Sequence, residues 1–391
     1  MKSSISASRE PLPRLARGLP RDWYFDATQY ARELDALWHT RWIAGLREEE
    51  MPRPGDFRVV AIDTQSILVV RGVDGLIRAF HNTCRHRGSV LVRETQGHLP
   101  GGVISCPYHA WTYDAAGALV ATPRQMPTPH FDMRRFGLHA VRAECWGGFV
   151  FLNLEPKRGA TLAQALGELP GRFARYELER LRIGHRIVAD VQVNWKFVAE
   201  NFSECFHCPP VHPELCAIVT AYRDAGAWGL RRDQRGRPLP EKRSEYAAGA
   251  ASLTLDGTAT IPPLRALDAT ERSTLYVPAM LPPGLFLNFH PDYVHTHCMF
   301  PTGPTSVRMV YDWLFAPEAL ARPGFDVMHY VRLWEITNRQ DAHNCELQQQ
   351  GMRARAFRHG WYVPQEFDCA RFARWVRSGL RGRTPARGGR K

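Results

Sequence analysis

Cys84-Arg85-His86-Arg87-Gly88 and Cys106-Pro107-Tyr108-His109-Ala110-Trp111 are separated by nineteen residues between His86 and Cys106. Each stretch pairs a cysteine with a histidine across one or two residues, and each lies between β-rich runs, so both fall at turns. Two such loops facing one another present two thiolates and two imidazoles. That donor set suits a tetrahedral zinc ion. It also suits a [2Fe–2S] cluster with cysteines on one iron and histidines on the other. A Cys-x-His half is unusual for a zinc finger, where each pair is mostly of one residue type, and this favours the cluster.

The sequence around these loops reads as a small all-β domain. Val59, Val60, Ile67, Val69 and Val70 form short apolar runs, punctuated by Pro54-Gly55, Asp74-Gly75, Gly101-Gly102 and Ala116-Gly117. Gly147-Gly148 and the following Phe149-Val150-Phe151-Leu152 close it with a further strand. The polar stretch 95–102 reads as a loop. The domain is placed at residues 43–155. Before it, 1–21 reads as a disordered arm and 22–42 as a helical segment, with Tyr30, Leu34, Leu37, Trp38 and Trp42 at helical spacing. After it, 156–379 mixes helices and strands and forms the second large domain. Within that span 222–274 reads as a long loop or lid, 285–289 and 307–314 as strands, and 325–357 as a long helix. Residues 380–391, rich in Arg and Gly, read as a disordered tail.

Composition narrows the class. A chain of 391 residues has room for two to three domains, and 44% hydrophobic with 23% charged residues is an ordinary globular balance. The longest apolar runs have strand length, short of the roughly 20 residues that span a bilayer, which argues against a membrane protein. The net charge of +12 comes mainly from arginines spread along the whole sequence. Without a recognisable nucleic-acid-binding motif they read as a solvated surface, with a docking face for an acidic electron donor as the alternative. Nine irregularly spaced cysteines do not form a secreted disulfide framework. With no secretory signal visible, a cytoplasmic location is expected.

A second constellation lies in the larger domain. The segment Asn194-Trp-Lys-Phe-Val-Ala-Glu-Asn-Phe-Ser-Glu-Cys-Phe-His-Cys-Pro-Pro-Val-His-Pro213 predicts a helix from Asn194 towards Cys208, ended by Pro209-Pro210. Asn201, Glu204 and His207 then share one face, and His212 returns a second imidazole after the helix stop. Two histidines with open positions call for a carboxylate, the donor set of non-haem Fe(II) oxygenases. Asp341, Asp326 and Asp292 are the candidate carboxylates; Trp334, Asn338, Asp341 and Cys345 share one face of the later helix, and an inward Asp341 would need a partner.

The first constellation resembles the Rieske motif, down to Arg87-Gly88 after one half and Pro107 and Trp111 around the other. Respiratory Rieske proteins carry an extra cysteine in each loop. Ser89 and Tyr108 stand there, so the resemblance is to the oxygenase and ferredoxin type. The segment 194–213 is similar to the catalytic-iron motif of Rieske non-haem iron oxygenases, and the likeness runs from about residue 23 to about 379. It implies an α+β chain: an all-β Rieske [2Fe–2S] domain plus a helix-grip (START/SRPBCC-like) catalytic domain with an antiparallel sheet. It assigns Cys84, His86, Cys106 and His109 to the cluster. It assigns His207, His212 and Asp341 to a mononuclear iron, Asp341 being the aspartate that the family places before a Cys-Glu pair, here Cys345-Glu346.

The same resemblance makes Glu204 a bridge between the two centres, with Asn201 beside it in a catalytic role. Ring-dihydroxylating members generally have Asp at the bridging position. Glu resembles the glycine betaine, choline and stachydrine monooxygenases, although their usual Tyr is Phe206 here. Also implied are a homotrimer, O2 and a small-molecule substrate, and a separate NAD(P)H-fed flavin/iron–sulfur reductase, since no dinucleotide-binding fingerprint is present. The expected reaction is hydroxylation or N-demethylation of a small organic molecule, with a quaternary ammonium compound as the candidate class. Dihydroxylation of an aromatic acid and simple electron carriage are the alternatives. Trp228, Tyr246, Tyr276, Phe289, Tyr293 and Trp313 suit either a cation–π cage or the core, and the core is favoured. His290, His295 and His297 read as structural or solvent-facing, with a pocket-lining role as the alternative, and His185 reads as structural. Cys145, Cys205, Cys208, Cys216, Cys298, Cys345 and Cys369 read as small buried hydrophobes.

Overall fold

The computed structural model describes residues 11–155, 159–225, 244–269, 271–275 and 278–381. The chain divides into two compact units, Trp38–Ala165 and the sequence on both sides of it.

The Trp38–Ala165 unit is mainly β, with short helical turns at Glu48–Glu50, Pro100–Gly102 and Met133–Phe136 and the start of the helix Leu162–Leu166 at its end. Its seven-stranded antiparallel sheet runs Ile43–Arg47, Phe149–Asn153, Ala140–Trp146, Ile77–His81, Gln65–Arg71, Asp56–Ile62, Gln96–His98. Ile67, Leu68, Val69 and Val70 are all fully buried, which explains why that strand reads as an unbroken apolar run. A smaller three-stranded sheet, Val103–Ser105, Thr112–Asp114 and Leu119–Ala121, completes the unit. Phe57, Leu68, Val70, Phe80, Leu91, Ile104, Trp111 and Tyr113 form one core, and Cys84 and Cys106 belong to it. The 95–102 stretch, expected as a loop, pairs as Gln96–His98 with Asp56–Arg58 and forms the edge of the larger sheet.

The second unit holds a five-stranded antiparallel sheet in the order Arg182–Val191, Ser306–Phe315, Val294–Gly303, Leu285–Phe289, Ala279–Leu281. The helix Val327–Gly351 packs on it through Trp334 and Asn338. The Trp334 indole N–H donates to His290 Nε2 at 3.2 Å, and Asn338 Nδ2 lies 3.4 Å from His295 Nε2. The Asp326 side chain caps that helix by accepting the Met328 N–H at 2.9 Å, and it is not part of the one ligand-spaced His/Cys/Asp/Glu group among the described residues. Phe289, Tyr293 and Trp313 are fully buried core. Tyr246 is half-buried. Trp228, Tyr276 and 382–391 of the expected 380–391 tail lie outside the described residues, as does 226–243 of the expected lid, whereas Leu380, expected in the tail, is buried at the end of the helix Phe367–Leu380.

The structure corrects three local expectations. Residues 11–21 are not a disordered arm, because Ala16–Pro20 pairs antiparallel with His359–Tyr362 and Leu19 is fully buried. The sequence up to Leu37 belongs with the C-terminal unit rather than standing apart to residue 42. Its anchor is a buried polar knot. Glu33 accepts from Lys196 Nζ at 2.6 Å, Trp195 Nε1 at 2.9 Å and Gln29 Nε2 at 3.0 Å. The third correction concerns the helix after Asn194, which spans only Trp195–Phe202. Pro209 and Pro210 then open a short helix, Cys208–Val211, rather than ending a long one. Proline tolerates the first helical turn, where its missing N–H has no intrahelical partner.

Candidate metal centres

The two cysteine–histidine loops of the Trp38–Ala165 unit are closed in the same way. Cys84 donates its N–H to the Ser89 carbonyl at 2.8 Å and accepts from Gly88 N at 3.0 Å. Cys106 donates to Trp111 at 2.8 Å and accepts from Ala110 N at 3.0 Å. The fifth residue of each loop adopts the left-handed conformation, with φ of 76° at Gly88 and 56° at Ala110. That turn is natural for Gly and strained for Ala, and it folds each loop back on its cysteine.

Both cysteines are buried, whereas His86 and His109 are exposed and their ring centroids lie 4.7 Å apart. Trp111 stacks on His86 at 4.9 Å. Burial and the neighbouring Cys106 push the Cys84 thiol up, while the Tyr113 hydroxyl, 3.3 Å from its sulfur, works the other way. Two thiols buried side by side with two imidazoles facing outward fit a cluster with one all-cysteine iron and one all-histidine iron.

In the other unit, the turn after the Trp195–Phe202 helix carries Glu204 and His207. The helix ends where Ser203 Oγ donates to the Ala199 carbonyl at 2.6 Å. The Glu204 carboxylate then takes the backbone N–H groups of Phe206 and, at 3.2 Å, His207. Glu204 therefore shapes the turn and also grips His207 Nδ1, 2.6 Å away. The sharing of one helix face by Asn201, Glu204 and His207 gives way to this turn. Even so, it leaves Asn201 Nδ2 3.5 Å from His207 Nε2.

Asp341 arrives from the Val327–Gly351 helix. Its Oδ1 lies 2.9 Å from His212 Nε2 and 3.3 Å from His207 Nε2, and the two rings stand 5.1 Å apart. One donor atom from each of His207, His212 and Asp341 falls within 4.8 Å of the others. No other trio of this kind occurs among the described residues. Asp292, the remaining alternative, is buried in the turn before Val294–Gly303 and lies outside the trio.

Burial works against charge on His207, yet Asp341 and Glu204 outweigh it and push its pKa up to about 10. Burial likewise opposes ionisation of Asp341, but its two imidazole partners hold the carboxyl well below the usual range. Negative charge gathered around two imidazoles in this way is what a cation relieves. Two nitrogens and a carboxylate are the donor set of a facial-triad ferrous site.

Nothing in the sequence points to the support of His212. Its Nδ1 meets Gln340 Oε1 at 2.8 Å, and Gln340 Nε2 donates to Glu214 at 3.1 Å. A pocket of about 410 Å³, open solvent at its mouth included, adjoins the trio. Val191, Val198, Phe202, Phe286, Met309, Tyr311 and His297 line it, with Asn201, Asn338 and Asp341 as its further polar groups. Of the three strand histidines, only His297 reaches the pocket. Burial drives it and His290 down to about 3, so both are neutral. His185 rests against Trp313 at 5.6 Å. Cys216, Cys298, Cys345 and Cys369 are buried as expected. Cys145 is exposed and Cys205 only half-buried, against that reading, while Cys208 is buried and joined through its sulfur to Cys205.

A cysteine–histidine cluster domain and a two-histidine, one-carboxylate site in one chain define the class of Rieske-type non-haem iron oxygenases. Comparison with known proteins agrees. Residues 178–382, just over half of the chain, match the ring hydroxylating alpha subunit (catalytic domain), and 41–132 match the Rieske [2Fe-2S] domain. The chain belongs to the ring-hydroxylating alpha-subunit family. These two domains imply one Rieske cluster and one mononuclear iron.

Among its relatives is the glycine betaine monooxygenase oxygenase subunit of Chromohalobacter salexigens, 29% identical over 94% of this chain and 87% of that protein. The carnitine monooxygenase oxygenase subunit of Escherichia coli is 34% identical over 59% of this chain and 62% of its own. A solved quaternary ammonium Rieske monooxygenase, described in connection with carnitine oxidation by gut microbiota and inter-subunit electron transfer, has the same fold. Its TM-score is 0.72 at 21% identity, covering 93% of this chain and 96% of that one. Among the described residues no helix is long and apolar enough to cross a membrane.

Proposed function

We propose that this protein is the terminal oxygenase of a multicomponent system that hydroxylates an N-methyl carbon of a small quaternary ammonium compound. The observation that carries this reading is the convergence of His207 Nε2, His212 Nε2 and Asp341 Oδ1 beside an apolar pocket. The named relatives act on glycine betaine and carnitine, both quaternary ammonium compounds. In this reading Cys84, His86, Cys106 and His109 hold the cluster, and His207, His212 and Asp341 hold the iron. The cluster domain is the 38–165 unit, and the remainder is catalytic. When bound, the iron supplies a centre at which O2 is reduced by electrons relayed from the cluster.

The protein's own groups set up that chemistry. Glu204 accepts from Nδ1–H of His207, and Gln340 accepts from Nδ1–H of His212. Each contact fixes the tautomer whose Nε2 lone pair points at the shared site. Asn201 is a polar neighbour of His207 Nε2 at the pocket wall. Phe202, Phe286 and Tyr311 exclude water and offer aromatic faces to a cationic ammonium group.

The balance is one substrate, O2, two electrons and two protons in, and hydroxylated substrate and water out. An N-hydroxymethyl group then loses formaldehyde and a proton, leaving the tertiary amine. Electrons come from a separate NAD(P)H-dependent flavin/iron–sulfur reductase. We further propose a cytoplasmic homotrimer in which Glu204 links the iron of one chain to the cluster of the next. The inter-subunit electron transfer named for the related monooxygenase supports this part.

The test is O2 uptake and product analysis of the reduced holoenzyme with glycine betaine, carnitine, choline and an aromatic acid. Formaldehyde matching the O2 consumed with a quaternary amine is the expected result. A cis-diol from the aromatic acid alone overturns the substrate class. A protein with two irons per chain and no uptake is an electron carrier instead.

A further inference from the structure

Cys205 and Cys208 bracket His207, and they are the only cysteines among the described residues that are joined to one another. Their Cα atoms are 4.9 Å apart, inside the range that a disulfide spans without moving backbone. Cys208 is buried and Cys205 half-buried, on a turn whose intervening Phe206 is 46% exposed. The same turn is held by Glu204, which takes the Phe206 and His207 amides, and by the Cys208 N–H, which donates to the Cys205 carbonyl at 3.3 Å. A bond between the two sulfurs closes that turn a third time. It encloses so few residues that its effect on global stability is small and its effect on the local backbone is large.

We propose that Cys205 and Cys208 form a reversible, peroxide-responsive dithiol–disulfide site that sets how firmly the turn carrying Glu204 and His207 is held. The oxidant is hydrogen peroxide. The Cys205 sulfur attacks one peroxide oxygen, the O–O bond breaks, and the departing hydroxide takes a proton to become water. The Cys208 thiol then attacks the resulting sulfenic sulfur and expels its oxygen as a second water. Two thiols lose two electrons in all, and one peroxide gains them. A dithiol reductant reverses the exchange. The inference goes beyond the oxygenase reading and does not depend on it, because added peroxide serves as oxidant.

The experiment uses the full-length holoenzyme, reduced with a dithiol and desalted. It is then treated with about one equivalent of hydrogen peroxide, matching the one peroxide that a two-electron thiol pair consumes. Peptide mapping without reduction is expected to show a Cys205–Cys208 cross-link that a dithiol removes. Hydrogen exchange at residues 204–209 is expected to slow several-fold in the oxidised form. Cys205→Ser and Cys208→Ser should each abolish both changes, and Cys216→Ser should abolish neither. Over-oxidation of Cys205 without a cross-link overturns the proposal, as does a cross-link that leaves exchange across 204–209 unchanged. If a serine variant does not fold, the wild-type protein with and without peroxide still decides the matter. Absence of formaldehyde in the substrate test bears only on the oxygenase reading.

Discussion

The two regions proposed to bind metal are built on opposite plans. Around Cys84 and Cys106 the proposed donors come from two self-similar loops, each closed by its own backbone hydrogen bonds, with the Tyr113 hydroxyl, two residues past the second loop, supporting the first. Around His207 and His212 the third donor comes from 129 residues beyond His212, and the supporting groups Glu204, Gln340 and Glu214 sit on three separate pieces of chain. A centre of the first kind is written into local sequence. A centre of the second kind exists only once the sheet, the long helix and the short turns have assembled.

The largest test of that contrast removes one donor from each region. His212→Ala should empty the lone-iron site and reduce turnover to background while the visible spectrum of the cluster stays unchanged. Cys106→Ala should do the reverse to the spectrum and leave the lone iron in place. Metal analysis should find about three irons per chain in the parent and about two in His212→Ala, as one cluster plus one single iron requires. If Cys106→Ala also loses the lone iron, the two regions do not assemble independently.

A milder change sharpens the second half of the contrast. Gln340→Ala leaves every donor in place but frees His212 Nδ1. Iron affinity should fall about 10- to 100-fold, read by competition with a chelator. An unchanged affinity would mean that the buried imidazole is held by packing alone.

The next prediction concerns the helix that leads into the turn. Glu200 is buried and accepts from the Tyr24 hydroxyl at 2.6 Å and the Tyr362 hydroxyl at 2.9 Å. Burial dominates and raises its pKa from 4.5 to about 7, although both hydroxyls oppose the rise. A carboxyl whose folded pKa lies above its unfolded one favours the fold fully below the unfolded value. That contribution is lost as pH climbs through the folded value. Stability should therefore decline between pH 4.5 and about 7, by something on the order of 3 kcal/mol from this group. Glu200→Gln should flatten that part of the thermal-stability profile, and a profile identical to the parent's would refute the assignment.

The smallest effect belongs to the cap of the long helix. Asp326→Ala removes the acceptor for the Met328 N–H and should cost about 1 kcal/mol, without altering iron content.

The same contrast explains which features were legible in the sequence. Cys84, His86, Cys106 and His109 could be singled out as proposed ligands because the turn chemistry that presents them is local. His207, His212 and Asp341 could be proposed because family resemblance supplied the long-range pairing that periodicity does not. What escaped notice depends on contacts between distant residues. Ala16–Pro20 offers only five residues to a strand, and its pairing with His359–Tyr362 has no local signature. Gln340 is an ordinary helix residue until Glu214 and His212 are set beside it. The helix after Asn194 stops at Phe202 although no breaker stands there, because the Ser203 and Glu204 side chains take over backbone partners. The Pro-Pro pair reads equally as a helix stop and as a helix start, and only the folded chain shows that it opens Cys208–Val211.

The pairing of Ala16–Pro20 with His359–Tyr362, and the meeting of Tyr24 and Tyr362 on Glu200, bear on the order of events during synthesis. As the ribosome works from one end to the other, the inserted 38–165 segment emerges whole and can fold at once. The iron-site helix must wait, its first tyrosine ready and its second more than 150 residues from being made. A messenger truncated shortly before codon 359 should accordingly yield a chain that takes up the cluster and lacks the hydroxyl that completes the clamp on Glu200.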